Sequence, residues 1–350
     1  RVTFYEEIES EHDAKRRAHA GRVPKKLLPI SDANGLADGL IFDASTVVTP
    51  NVLGRQILTD YPLDALVETI DWMPFFNAWE FSGKFPDILN DPRKGPEARK
   101  LFDDAQAMLK QIIDEKWIKA NAVFGFFPAY SEGNSIVILD SKDTTREIAR
   151  THWLRQQRPM PDGKPQLCLS DFIAPKESGI LDYIGAFAVT TGHGIDAHIK
   201  HFEEDHDDYR AIMLKILADR FAESFAEHLH RRVRTEFWAY APDEQINNED
   251  LIRERYRGIR PAPGYPACPD HREKRTLWEF LEVEEATGIS LTESLAMWPT
   301  ASVSGFYFAH PDSRYFMLGT IGKDQLATYS QLRKEDEQEN SRWLAPVLGY

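Results

Sequence analysis

Only two cysteines occur in the 350 residues, Cys168 and Cys268, a hundred positions apart. That spacing excludes a disulfide framework and a CxxC zinc knuckle and suits a reducing compartment, so the expected location is cytoplasmic. No run approaches the roughly 18 consecutive apolar residues of a membrane span, and the opening Arg1-Val-Thr-Phe-Tyr-Glu-Glu7 lacks the apolar centre of a signal peptide. No membrane partner is expected. Positive charge is also short, 42 Lys and Arg against 56 Asp and Glu, a net charge of −14. General polyphosphate binding by counterion release is therefore disfavoured, and no nucleic acid partner is expected. GxGxxG, GxxxxGK[ST] and GxSxG are absent, which removes the common dinucleotide, nucleotide and hydrolase signatures.

What remains is an ordinary globular mixture, 42% apolar, 11% aromatic and 28% charged, long enough for a sizeable core. The first forty residues, with Arg16, Arg17, Arg22, Lys25 and Lys26, read as a connecting helix running into an extended arm. Pro62–Ile70 has helical spacing and leads into Asp71-Trp72-Met73-Pro74-Phe75-Phe76, an aromatic loop or helix start. Ala98, Leu101, Ala105, Met108, Leu109, Ile112 and Ile113 predict an amphipathic helix over Glu97–Asn121. Val123–Tyr130 and Ser135–Leu139 flank Ser131-Glu132-Gly133-Asn134 as a hairpin. Further strands are expected at Leu167–Ile173, Tyr183–Thr191, Ser304–Phe308 and Tyr315–Ile321. The longest helical signal runs from Asp207 to Arg234; a shorter helix is expected over Trp278–Gly288 with Thr276 as cap, and a solvated helix over Arg333–Arg342. This irregular order favours α+β, a mixed domain around an antiparallel sheet, over a doubly wound parallel sheet.

His193, His198, His201 and His206 lie beside Glu203, Glu204 and Asp205, a density that invites a metal reading. The spacing does not provide HExxH or three placed ligands, so a charged helix start beside a loop is preferred and no metal is expected. Asp196-Ala-His198-Ile-Lys-His201 is a broken DxHxxG in which His201 replaces the glycine that lets a backbone approach a cofactor closely.

The most informative stretch is Arg257-Gly-Ile-Arg260-Pro-Ala-Pro-Gly264-Tyr265-Pro-Ala-Cys268-Pro-Asp270-His271. Prolines at 261, 263, 266 and 269 forbid a helix and fix φ repeatedly, while Gly264 opens backbone conformations that other residues reach only with strain. A rigid binding loop fits this pattern better than a surface linker, which leaves Tyr265 and Cys268 unexplained. Arg260 can pair in a fork with a carboxylate.

This loop closely resembles the S-adenosylmethionine-binding loop of the C-terminal activation domain of cobalamin-dependent methionine synthase. The resemblance extends to Ile70–Phe76, Ala218–Glu223, Trp298-Pro299 with Ser304–Phe308, and Ser313–Gly319, in the family's order. It implies a single α+β domain with a bent antiparallel sheet flanked by helices, occupying 1–350, in which residues 1–30 connect to an upstream cobalamin domain that this sequence lacks. The start at Arg1 without methionine agrees with part of a longer polypeptide. The implied function is to bind S-adenosylmethionine and donate its methyl group to cob(I)alamin during reductive reactivation, within an enzyme that makes methionine from homocysteine and methyltetrahydrofolate. The alternative from another class is an S-adenosylmethionine-sensing docking module without direct catalytic contribution. The implied partners are the cobalamin-binding domain of the same polypeptide and a flavodoxin-like or flavoprotein reductant.

The resemblance places ligand contacts at Asp71, Arg260, Tyr315 and Phe316, with Glu223, Ala262, Gly264 and Tyr265 as neighbours. No residue acts as a general acid or base, because methyl displacement needs alignment and not proton transfer. Arg260 suits the ligand carboxylate, Asp71 or Glu223 its ammonium, and Tyr265, Tyr315 and Phe316 its adenine or sulfonium. Each has a plain structural reading too: Asp71 as a cap, Glu223 as a solvated helix residue, Tyr315-Phe316 as core. Arg231, Arg232 and Arg234 are candidates for docking an acidic reductant, or simply match the negative end of a helix.

Overall fold

The computed structural model describes residues 26–350. The connecting helix expected in the first forty residues thus falls mostly outside the described residues. What is described begins with a short helix α1 (Ile30–Gly35).

Eight strands follow in chain order: β1 (Gly54–Leu58), β2 (Lys119–Glu132), β3 (Ser135–Leu139), β4 (Glu147–His152), β5 (Asp182–His193), β6 (Ser290–Leu291), β7 (Met297–Trp298) and β8 (Ser302–Tyr307). The main sheet is antiparallel throughout, in the order β4-β3-β2-β5-β8 with β1 also on β2; β6 and β7 form a separate ladder. The fourteen-residue β2 organises it. Along one edge its first half pairs with β1, from Ala122 to Phe126, and its second half with β3, from Ala129 to Glu132. Side chains alternate across a strand, and here both faces are buried: Phe124 and Phe126 join one core, Val123 and Phe127 the other.

The first face is covered by α2 (Met73–Ala78), α3 (Gly95–Asp114), α4 (Ile195–Glu204) and α5 (Asp208–Arg232). Asp207 caps α5, accepting from the Arg210 amide at 3.0 Å, a contact that satisfies one of the unpaired first-turn donors. After the short α6 (Asn248–Ile252), the second face receives α7 (Glu273–Leu281) and α8 (Val283–Thr287), with Leu277, Trp278 and Leu281 packed on Ile136, Ile184 and Phe306. Helices α9 (Lys323–Arg333) and α10 (Glu337–Trp343) close a third, smaller cluster around Leu318, Ile321 and Tyr329. The α+β class around an antiparallel sheet agrees with the element order, and the single domain flanked by helices agrees with what the resemblance implies.

Several local expectations are corrected. Leu167–Ile173 is not a strand: Leu169–Phe172 is a 3-10 turn, because Asp171 turns back to accept from the Cys168 amide and holds the buried Arg155 guanidinium at 2.6 Å. Tyr315–Ile321 has no ladder; apart from one isolated bridge, Ile321 to Leu348, it is an irregular strap. The Glu97–Asn121 helix stops at Asp114, since Lys116 takes φ 53° and the chain turns into β2. Thr276 is not a cap but an interior residue of α7, and the Trp278–Gly288 helix is broken at Glu282, φ 50°. Lys334, φ 56°, likewise divides Arg333–Arg342 between α9 and α10.

Candidate functional site

The proline-rich loop is built onto the free edge of β8. Ile259 and Phe308 exchange backbone hydrogen bonds at 3.0 Å each way, and the Phe306 amide donates to the Pro261 carbonyl at 2.9 Å. That approach requires Gly305: a Cβ there would lie 2.7 Å from the Pro261 oxygen. The chain then turns back, with the Cys268 amide donating to the Tyr265 carbonyl at 2.9 Å and the Gly264 amide to the Cys268 carbonyl at 2.7 Å. Gly264 has φ 100°, and a Cβ on it would collide with the His271 ring. The conformation is what favours glycine here, and a Cβ would also force the exposed His271 ring to move.

The strap is tied to this loop, since the Leu318 amide donates to the Pro266 carbonyl at 3.0 Å and the Arg260 amide to the Tyr315 hydroxyl at 3.0 Å. Loop, strap and α5 enclose a cavity of about 530 Å3 lined by Glu223, Glu254, Arg260, Pro261, Ala262, Tyr265, Val303, Tyr315, Phe316 and Met317 among others, within the ~300–1,000 Å3 range of small-molecule pockets. A second cavity of about 340 Å3 opens from the same Glu223, Glu254 and Arg260 toward Asp71, Thr69 and Glu227. A larger cavity, about 1230 Å3, lies beyond Phe316 and Met317. It lacks the acid and base pairing that marks the first two.

The sequence-derived residues therefore converge. Glu223, Arg260, Ala262, Tyr265, Tyr315 and Phe316 line the first cavity, and Asp71 lines the second. Gly264 lines neither and acts through the turn. Asp71 also accepts from the Met73 amide at 3.0 Å, so it bonds the first residue of α2, whose N-cap position is Trp72, while lining the cavity. Phe316 packs against the second core, near Phe172, whereas Tyr265 is 63% exposed and Met317 74%, forming the cavity's rim.

The electrostatics are uneven. Burial raises the pKa of Glu223, opposed by Arg220 and Arg260, and raises that of Glu254. Glu254 sits at φ 54°, an uncommon conformation for a residue with a side chain. The Arg260 guanidinium donates through Nη1 to Glu227 Oε2 at 2.8 Å and to the Tyr256 hydroxyl at 3.4 Å. Its pKa is raised, the attraction of Glu227 and neighbouring tyrosines outweighing burial. Glu227, Glu254 and Tyr256 were not singled out from the sequence. Glu227 was discoverable as the next turn of the Asp219/Glu223 stripe on α5, but Glu254 stands in a charged run without distinguishing pattern.

Of the three arginines offered as a docking face, Arg234 is corrected. It is 0% exposed and bound by Glu244 at 2.8 Å. Arg231 and Arg232 remain partly exposed, beside Glu68 and Glu236. The histidine cluster disperses: His193 Nε2 is 2.7 Å from the Thr287 carbonyl, His198 stacks on Trp117, and His201 faces Asp205. Among the described residues no three His, Cys, Asp or Glu side chains are grouped to hold a metal ion, and no helix is long and apolar enough to cross a membrane.

The fold and site thus define an α+β domain whose cavity carries charges of both signs. The family described as "Vitamin B12 dependent methionine synthase, activation domain" matches residues 62–335, and the chain belongs to it. It is therefore a domain of a methyltransferase. The chain is also similar to a solved structure, the MetH reactivation domain bound to AdoHcy, with 49% identity and a TM-score of 0.89, over 93% of this chain and 99% of that one.

Proposed function

We propose that the chain binds S-adenosylmethionine in the Arg260 cavity and presents its methyl group to cobalamin held by a separate domain, during reductive reactivation of methionine synthase. The observation that carries this is the charge arrangement of the cavity: one arginine and two burial-perturbed carboxylates, Glu223 and Glu254, beside the aromatic Tyr265, Tyr315 and Phe316. S-adenosylmethionine carries a carboxylate, an ammonium, a sulfonium and an adenosine, and the lining offers a partner for each. Arg260 takes the carboxylate as a charge-assisted pair. Glu223, Glu254 and, from the adjoining cavity, Asp71 take the cationic groups. Tyr265 and Tyr315 offer ring faces to the adenine or sulfonium. The match of the chain to a domain whose structure holds the demethylated product supports the same reading.

Cobalamin would supply the cobalt that accepts the methyl group. This chain's residues contribute alignment and exclusion of water, which suffice for a displacement at carbon. The partly exposed Arg231 and Arg232 are the proposed contact for an acidic flavodoxin-like reductant, whose binding should weaken steeply with salt.

Isothermal titration with S-adenosylmethionine tests the site: saturable binding is expected, and its absence refutes the reading. Methyl transfer assayed with the cobalamin domain and a reductant then separates donor from sensor. Binding without transfer would favour the docking-module alternative.

A further inference from the structure

We propose that Glu227 is the positioning residue for carboxylate recognition, holding one arm of the Arg260 fork so that its remaining donors meet the ligand; this rests on the S-adenosylmethionine reading above. Glu227 lies one turn beyond Glu223 on α5, is 8% exposed, and faces the second cavity. Its Oε2 accepts from Arg260 Nη1 at 2.8 Å. Arginine has five donors in a fixed plane. Engaging Nη1 from behind, while the Arg260 amide is anchored on Tyr315, restricts the orientation of that plane.

A second charge pair stands behind the first. Arg234, wholly buried, gives Nε and Nη2 to Glu244 at 2.9 and 2.8 Å, and its guanidinium lies 4.0 Å from the Tyr256 ring centre. Its Nη1 is 3.8 Å from Glu227 Oε1, and both atoms are buried without a hydrogen-bond partner. Glu227 is thus held between two guanidinium groups while only Oε2 is satisfied. Burying a charge with an unfilled hydrogen bond is costly, and such an ion pair is a poor source of stability. Its geometry does provide something else. Paired with Glu227, Arg260 no longer acts as an isolated cation that would attract any small anion past Glu223 and Glu254. It offers a directed fork to a ligand whose cationic groups satisfy those acids together with its carboxylate.

The test is isothermal titration of the chain with S-adenosylmethionine and with decarboxylated S-adenosylmethionine, which lacks the carboxylate but keeps the sulfonium and amine. Glu227→Ala is expected to weaken S-adenosylmethionine about tenfold or more, the scale of one charge-assisted hydrogen bond, and to change the decarboxylated ligand less than about twofold. Glu227→Gln, whose amide oxygen still accepts from Nη1, is expected to restore binding to within about threefold of wild type. Glu227→Asp, shorter in reach, is expected to show the same carboxylate-selective loss, and it serves if the alanine variant does not fold. An equal loss for both ligands, or an unchanged affinity for S-adenosylmethionine in folded variants, overturns the inference alone. Failure of the wild-type chain to bind either compound overturns the ligand reading and this inference with it.

Discussion

Replacing Arg260 by alanine should separate recognition from folding, because the residue serves both. On the ligand side the substitution deletes a charge-assisted hydrogen bond of ~1.5–3 kcal/mol, or about 10- to 150-fold in Kd. On the protein side it removes the 2.8 Å partner of Glu227, which is 8% exposed and, among the described residues, has Arg234 at 3.8 Å as the other cation within salt-bridge range. An unpaired buried carboxylate costs ~3–5 kcal/mol, and the residual field of Arg234 argues for the lower end. At roughly 2 °C of Tm per kcal/mol for a large domain, the unfolding midpoint should fall by roughly 6 °C. The assay is titration calorimetry with S-adenosylmethionine at a temperature where circular dichroism shows the variant folded, with thermal unfolding run alongside. Arg260→Lys keeps the charge and loses the fork, so it should recover more stability than affinity. An unchanged Kd in folded Arg260→Ala would refute the assignment of the cavity, and an unchanged Tm would refute the argument from Glu227.

Other outcomes follow from the same geometry. Gly264→Ala should destabilise by more than ~1 kcal/mol and weaken ligand binding, since the residue sits at φ 100° against His271; adding His271→Ala should relieve the steric part and leave the backbone part, which urea unfolding of both variants measures. Asp182, buried and accepting from the backbone amides of Ala174 and Tyr183, has its pKa raised from 3.8 to about 6 by burial. The folded state then holds the proton more tightly than the unfolded, so this contribution is complete below pH 3.8 and is lost as pH rises to about 6; Asp182→Asn should flatten that segment of the stability–pH curve. Arg234→Ala should cost ~3–5 kcal/mol by stranding Glu244, visible as a loss of soluble folded protein, whereas neutralising Arg231 should barely move Tm. His193→Ala should leave S-adenosylmethionine affinity within about twofold, because its ring contacts Thr287 and lines neither ligand cavity; a larger loss on titration would contradict this.

The periodic signals survived translation into structure where one face of an element meets a core. The amphipathic α3, the long α5 and the β2–β3 hairpin carry patterns that burial enforces. The failures sit where single long-range contacts override pattern. Leu167–Ile173 is apolar enough for a strand, yet Arg155 reaches Asp171 and bends it. Tyr315–Ile321 has strand-like residues but is pinned at isolated points, through Tyr315 and Leu318, to a loop fifty residues earlier. The site was legible where rigid chemistry is local, as in the proline-rich loop. Glu227 continues the Asp219/Glu223 stripe and so carries a periodic signal, whereas Glu254 was not legible, since its meaning arises only when the turn after α6 is brought beside α5 and the loop around one arginine.

The docking of Ile259–Pro261 along β8 has a second consequence. A terminal strand presents unpaired backbone groups that recruit other chains, and here Ile259 and Pro261 occupy those groups on Phe306 and Phe308. The segment that shapes the Arg260 cavity is therefore also the guard of the sheet's open margin. Substitutions that loosen it should raise the tendency to self-associate along with the dissociation constant, and ligand, by holding the loop in place, should slow aggregation as well as thermal unfolding.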